Sequence, residues 1–494
     1  VERPFFAIHH SFASYPTFAS APTGADAAMA TSETTQLDPA SAAWAPYTPS
    51  DAAPWNLQRV VHLHRRAALG APWQTIQRDL QAGPAQAIDS LLAGAANSAD
   101  LQPFENLART IGDAATASGN AGRLKAWWLY RMLASPDPLA ERLTLVWHNH
   151  FATSNRKVQD LPKMREQNDI LRSHAHGPFA ELLQAVVKHP AMLLWLDADA
   201  NRKGHANENL ARELLELFTL GIGAYSENDV QESARALTGW GIFEGKFGYQ
   251  PLRHDDGEIQ ILGQRGKFDG DGLLQLLLEH PATPRRLAWR VTSALMGENF
   301  AKDAQYDARI NELATGLRER NLDIGWAVET VLRSQAFFAS DNIKSRVSGP
   351  IDFAIGALNV LELNSAPPST LLLADWTGRM GQELFYPPNV GGWREGRAWL
   401  SSRTIIARAN FAAALVAGRL WNPAQPQSFA PLCERHGVAT DLESAVPWFA
   451  TLLWGTASPP LVKDIVSAAG SAPEPERLGT AIALLLACPE HQLS

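Results

Sequence analysis

The densest set of groups able to do chemistry lies in residues 197–221, DADANRKGHANENLARELLELFTLG. Asp197, Asp199 and Asn201 occupy positions 1, 3 and 5 of a twelve-residue count, Lys203 position 7 and Glu208 position 12. Oxygen ligands at these intervals are those of an EF-hand-like loop, in which position 7 offers a backbone carbonyl and position 12 a bidentate carboxylate. Asp197, Asp199, Asn201 and Glu208 are therefore candidate ligands for Ca2+ or another divalent cation. Position 6 departs from the pattern: the sharp turn there calls for Gly, but Arg202 holds it and the glycine comes later, at Gly204. Plain turn and cap chemistry before a helix also uses Asp and Asn in this way.

With Asn207 as N-cap, winding the following helix at about 100° per residue puts Leu210, Ala211, Leu214, Leu217 and Phe218 on one face. Glu208, Arg212 and Glu216 then form an i, i+4, i+8 line on the other, flanked by Asn209 and Glu213. Two readings follow. A solvated face would carry ion pairs contributing ~0.3–0.5 kcal/mol each. A face buried against a second polar element would let Arg212 neutralise one carboxylate and leave another, such as Glu213, for a metal or for proton transfer.

Three other stretches carry polar candidates. In LVWHNHF, Leu143, Val146, Trp147, His150 and Phe151 share an apolar helical face, with His148 about 160° from His150. The two histidines cannot reach one metal from a regular helix, unlike the i, i+4 pair of a zincin. His150 reads as a buried, hydrogen-bonded histidine, and His148 as the candidate general acid/base or single ligand. His254–Asp255–Asp256 falls at an Asp–Gly turn and either delivers ligands or a base into a cleft or only makes the turn. In YPPNVGGW, two prolines and two glycines impose an unusual backbone path, and Asn389 and Trp393 could wall a pocket. Asp269 and Asp271 are explained by N-capping before Leu273. No nucleophile elbow, P-loop or dinucleotide fingerprint is present.

The elements that must position these groups are nearly all helical. Apolar periodicity near 3.6 begins at Trp55 and recurs to the end of the chain, with Asp137–Pro138 and the Ser226/Asp229 pair as start signals and glycines as stops. Only Phe243–Gly263 changes to a period of two, predicting one β-hairpin that turns at Asp256–Gly257. Residues 1–50, rich in Ala, Ser, Thr and Pro, read as an extended arm. Hydrophobic residues make up 46% and charged residues 19% of the 494, which describes a globular protein, and the net charge of -8 argues against nucleic-acid binding. No apolar run is long enough to span a membrane. The chain opens at Val1 without a basic-then-apolar leader, so any export signal would already have been removed. Cys433 and Cys488 read equally as two buried thiols or as a disulfide closing a long loop. The 16 Trp suit core packing between helices.

In order, LVWHNHF, PAMLLWLD, NENLARELLELFTLG, DVQESARALTGW, HDDG…ILG, PPNVGGW and LLLACPEHQ resemble the bacterial family catalogued as domain of unknown function 1800, from Trp55 onward. The resemblance implies an exported bacterial protein, often encoded beside a second protein similar to the sulfatase/alkaline-phosphatase superfamily, which is thereby a partner to expect. It brings no established activity. Cys488 and His491 stand where the family usually has Ser and Phe.

These readings predict a mostly α protein: one large helical body over 51–494 with one small β-hairpin near 243–263, preceded by the arm. The function expected is that of a periplasmic or extracellular hydrolase of a glycan or other polymer, with metal assistance as an option, and with Glu213, His254, Arg212 and His148 as catalytic candidates. The alternative is a non-catalytic binding or assembly protein, in which the same residues make a structural network and calcium is an optional staple.

Overall fold

Local cap chemistry sets where many of the helices begin. In the computed structural model, which describes residues 39–95, 98–364 and 367–494, Asp137 accepts from Ala140 N at 2.9 Å and Pro138 occupies the first turn of the Pro138–His150 helix. Ser226 and Asp229 close a reciprocal capping box on Glu227–Ala236, and Asp269 accepts from Gly272 N at 2.8 Å ahead of Gly270–Glu279. Each side chain satisfies a backbone donor that the first turn would otherwise leave unpaired. Twenty-four α-helices stand among the described residues against four short strands, so the fold is mostly α.

The β structure differs from the single hairpin expected. β1 (Trp240–Phe243) pairs antiparallel with β2 (Lys246–Tyr249), and β3 (Ile259–Ile261) with β4 (Gln264–Gly266). The turns fall at Glu244–Gly245 (φ 50° and 78°) and Leu262–Gly263 (φ 51° and 81°). A two-residue hairpin loop of this kind needs positive φ at both positions, which glycine supplies at the second without strain. Asp256–Gly257 lies between the hairpins, and Gly257 N is held by Asp255 Oδ1 at 3.1 Å.

Most of the predicted 1–50 arm lies outside the described residues. Its last part docks: Pro39–Trp44 is a short helix, and Trp44 Nε1 donates to Arg309 O at 2.9 Å while its ring packs 5.7 Å from that of Phe300. From Pro39 to Ser494 the chain forms one unit with two principal apolar cores. The first gathers Trp147, Phe151, Phe179, Phe218 and Phe337. The second gathers Trp127, Trp128, Phe353, Phe385 and Phe411. The Pro138–His150 helix serves both, sending Leu143, Val146 and Trp147 to the first core and Leu145 to the second. All its residues from Leu139 to His150 are buried. Its polar members, Glu141, Arg142, His148, Asn149 and His150, therefore lie in the interior, where unpaired polar groups are costly.

Cys433 and Cys488 are both free thiols, the first buried in the second core. Among the described residues no helix is long and apolar enough to cross a membrane.

Candidate functional site

The helix after the acidic loop starts later and winds differently than its charge spacing suggested. Asn207 Oδ1 accepts from Asn209 N at 3.0 Å, and the α-helix covers only Asn209–Glu213. From Leu214 to Thr219 the backbone is a π-helix. Leu220 N reaches back five residues to Leu215 O at 2.9 Å, and Thr219 Oγ1 donates to Leu214 O at 2.5 Å. A widened turn leaves carbonyls without their usual partners, and side chains from other elements supply them. Arg286 donates to Leu217 O at 3.1 and 3.0 Å. His150 Nε2 lies 3.1 Å from Phe218 O, so this nitrogen carries the proton. Burial, with Arg286 and Arg290 nearby, holds the His150 pKa well below its ordinary range, and its imidazole is neutral. π-turns of this kind are rare and concentrate at functional sites.

The wider turn redistributes the charged face. Arg212 bonds Glu208 at 2.9 Å as the spacing implied, but its other partner is Glu227 on the next helix, at 2.8 and 2.7 Å, rather than Glu216. Glu216 instead accepts from Tyr225 Oη at 2.7 Å. Glu213, half-buried, has no hydrogen-bond partner among the described residues. Burial and the neighbouring Glu216 charge push its carboxyl up to about 7, with Arg212 opposing. This carboxyl is part protonated at neutral pH, as suits a general acid or base.

The residues proposed as cation ligands are engaged by the protein itself. Asp197, in the left-handed region at φ 56°, accepts from Lys157 Nζ at 2.7 Å and from Asn209 Nδ2 at 3.1 Å. Asp199 lies 3.6 Å from Arg253 Nη1. Asn201 is buried, its Oδ1 accepting from Asn207 N at 2.9 Å and its Nδ2 donating to Ala234 O at 2.8 Å. Glu208 is bound to Arg212. Among the described residues no three His, Cys, Asp or Glu side chains gather as a metal-binding group. The sharp turn falls at Gly204 (φ 79°), where it closes a small Arg202–His205 bridge of 3.3 and 2.8 Å. That position is two residues late for a loop wrapped around an ion.

The histidine candidates are likewise engaged by structure. His254 Nδ1 lies 2.9 Å from Thr238 O and its ring packs edge-on against Tyr249. Asp255 pairs with Arg235 at 2.9 Å and Asp256 with Lys203 at 2.5 Å, so the three residues pin the segment between the hairpins to its surroundings. No hydrogen bond or ion pair among the described residues joins His254 to Glu213. His148 is buried among Trp128, Phe385 and Trp393, with ring centroids at 5.1, 5.6 and 5.5 Å. Burial pulls its pKa down to about 3, which leaves it neutral.

The residue of the WHNH segment that does reach another motif is Asn149. Its Oδ1 accepts from Trp393 N at 2.7 Å and its Nδ2 donates to Glu395 Oε1 at 2.8 Å. The same carboxylate meets Arg290 at 3.4 Å and Arg346 at 3.5 Å. Arg346 also lies 3.4 Å from Asp352, which pairs closely with Arg142. Burial works against ionisation of Glu395, but Arg290, Arg346 and Arg142 outweigh it and hold its pKa below the ordinary range. Gly392 makes the approach possible: its φ is 76°, and a Cβ there would collide with Asn149 Oδ1. Sequence reasoning weighed LVWHNHF and PPNVGGW separately and missed this junction. The available signal was the lone Asn between two histidines and the Glu two residues past Trp393. Arg142, Arg290, Arg346 and Asp352 carry no local pattern.

A family model described as protein of unknown function (DUF1800) matches residues 62–493. No curated protein and no solved structure matches the chain.

Proposed function

The chain belongs to this family of proteins of unknown function, and from that premise we propose that it is an exported hydrolase of a glycan or other polymer, with Glu213 as its acid–base group. The observation that carries the proposal is Glu213 itself: a half-buried carboxyl at the mouth of a π-turn, without a hydrogen-bond partner, pushed up to about 7. Glycan hydrolysis needs a carboxyl that can give a proton to a leaving oxygen and a second carboxylate beside it. Glu216, three residues on and oriented by Tyr225, supplies the second. Arg212, tied to Glu208 and Glu227, lends positive charge near any anion that develops. His254 and His148 take no part in this arrangement.

Export, a sulfatase/alkaline-phosphatase-like partner and assistance by Ca2+ or another divalent cation belong to the same proposal. The first two rest on the family resemblance, and the cation rests on the ligand spacing from Asp197 to Glu208.

The alternative, a non-catalytic binding or assembly protein, is favoured by one observation. Glu208, Arg212, Asn201, Asp255 and Asp256 are all bonded to other residues of the chain. The test screens purified protein on glycans, esters and phosphoesters and repeats any active case with Glu213→Gln. Turnover lost by ~10²-fold or more with binding retained supports the acid–base role. Turnover unchanged in the variant removes Glu213 from the site, and no turnover on any substrate class favours the binding protein.

A further inference from the structure

One tryptophan takes no part in packing the interior. The others either lie within an apolar core or pack against one. Trp289, half-buried on the Ala282–Leu295 helix, does neither. Its ring is stacked instead on the guanidinium of Arg286, whose Cζ lies 4.1 Å from the ring centroid. The indole Nε1–H has no acceptor among the described residues and is not shut off from solvent. An indole left partly in water forgoes some of the stabilisation that burial gives. Its flat apolar face and polar edge suit a ligand that is apolar on one side and hydroxylated at its rim.

Arg286 joins this ring to the Glu213 region. Its Nε and Nη2 donate to Leu217 O at 3.1 and 3.0 Å, which fixes the guanidinium beside the π-turn. Leu217 is four residues, ~6 Å along the helix, beyond Glu213. Arg286 pairs directly with no carboxylate among the described residues, and Glu216 acts on it through space. Its Nη1 has no partner among the described residues and also reaches solvent. Ile222, 81% exposed, follows Gly221, which lies against the Arg286 stem. Beside Glu213 and Glu216 the surface thus carries an aromatic ring, an exposed aliphatic side chain and a fixed guanidinium without a carboxylate partner. A guanidinium so held is suited to an anionic oxygen group, carboxylate or sulfate.

We infer that Arg286 and Trp289 form a subsite for an anionic glycan, the indole stacking on a sugar ring and Arg286 Nη1 bonding a carboxylate or sulfate carried by that sugar. A neutral glycan would use the ring and leave the guanidinium without a counterion. A small inorganic anion would use the guanidinium and leave the ring bare. The inference rests on the reading of Glu213 as the acid–base group for its place in the reaction, and it narrows the substrate from polymers in general to glycans that carry negative charge.

The test separates binding from turnover by calorimetry on the Glu213→Gln protein, with a galacturonate hexamer, a κ-carrageenan hexasaccharide and cellohexaose as probes. An anionic probe is expected to bind ~10-fold or more tighter than cellohexaose. Whether the galacturonate or the carrageenan binds tighter identifies the group as carboxylate or sulfate. Adding Trp289→Ala should weaken that binding by up to ~10-fold, and Trp289→Phe, which keeps a ring, should retain most of it. Arg286→Gln should erase the preference over cellohexaose; if it does not fold, the probe preference and Trp289→Ala decide. No binding of either anionic probe, cellohexaose bound as tightly, or unchanged binding in Trp289→Ala overturns the subsite. So does a Trp289→Ala protein that fails to fold, because the ring would then be a packing residue. Wild-type turnover by Glu213→Gln, with Trp289-dependent binding intact, would overturn the acid–base reading alone.

Discussion

Glu213→Gln tests the physical basis of the proposed site without any substrate. The substitution keeps the shape of the side chain and removes its ionisation. In the folded protein burial and the Glu216 charge hold this carboxyl at about 7 against an ordinary 4.5. The folded state therefore keeps the proton through a range in which the unfolded chain releases it. Below about pH 4.5 both states are protonated and the raised pKa has no effect on stability. As the pH rises toward 7 the unfolded state gains the advantage of ionising freely, and the native state loses up to ~3 kcal/mol, fully felt above pH 7. Gln avoids this penalty. Urea unfolding followed by Trp fluorescence should show wild type and variant alike near pH 4, with the variant increasingly more stable toward pH 8, by ~3 kcal/mol at most. A difference that does not change with pH, or a variant less stable at pH 8, would refute the account of Glu213. Stability gained together with activity lost would be the trade expected of a catalytic group.

Asn149→Ala removes the bonds to Trp393 N and Glu395 and leaves a largely buried carboxylate short of a donor; denaturant unfolding should show a loss of ~2–4 kcal/mol, and a loss under ~1 would deny the junction a structural role. Gly392→Ala should lose ~1–3 kcal/mol by the same assay, because alanine is strained at φ 76° and its Cβ would meet Asn149; a neutral result means the loop can move away. Arg212→Ala should lower stability by ~1 kcal/mol or less, since its side chain is 34% exposed and its pairs are screened; a larger loss would mean a drier site than the exposure implies. Added Ca2+ should raise Tm and EDTA should reverse the rise, the ion taking Asp197, Asn201 and Glu208 from their present partners within the chain. A Tm indifferent to both, or a rise that Asp197→Asn leaves intact, removes the cation from the proposed site.

The spacing of candidate ligands from Asp197 to Glu208 was legible, but what the loop does with them was not. Whether oxygen atoms turn inward depends on where the backbone takes a positive φ, and that happens at Gly204 rather than at Arg202. The Glu208–Arg212 pair followed from helical geometry because both residues lie before the π-turn. Glu216 did not, because the turn widens after Glu213. The hairpin was foreseen in the right region but with the wrong turn. Two short X–Gly turns compete with Asp256–Gly257, and period-two reading over so few residues does not choose between them.

By itself the sequence determined the helical class, the family, and the helix starts at Asp137, Ser226 and Asp269, because caps and amphipathic stripes act between residues three or four apart. Tertiary structure decided the chemistry. His150 meets Phe218 across 68 positions, Arg286 meets Leu217 across 69, and Asn149 meets Trp393 across 244. The protonation of Glu213 and the neutrality of His148 arise from burial and through-space fields. Those fields depend on which distant side chains fold into contact, and no local spacing in the chain records them.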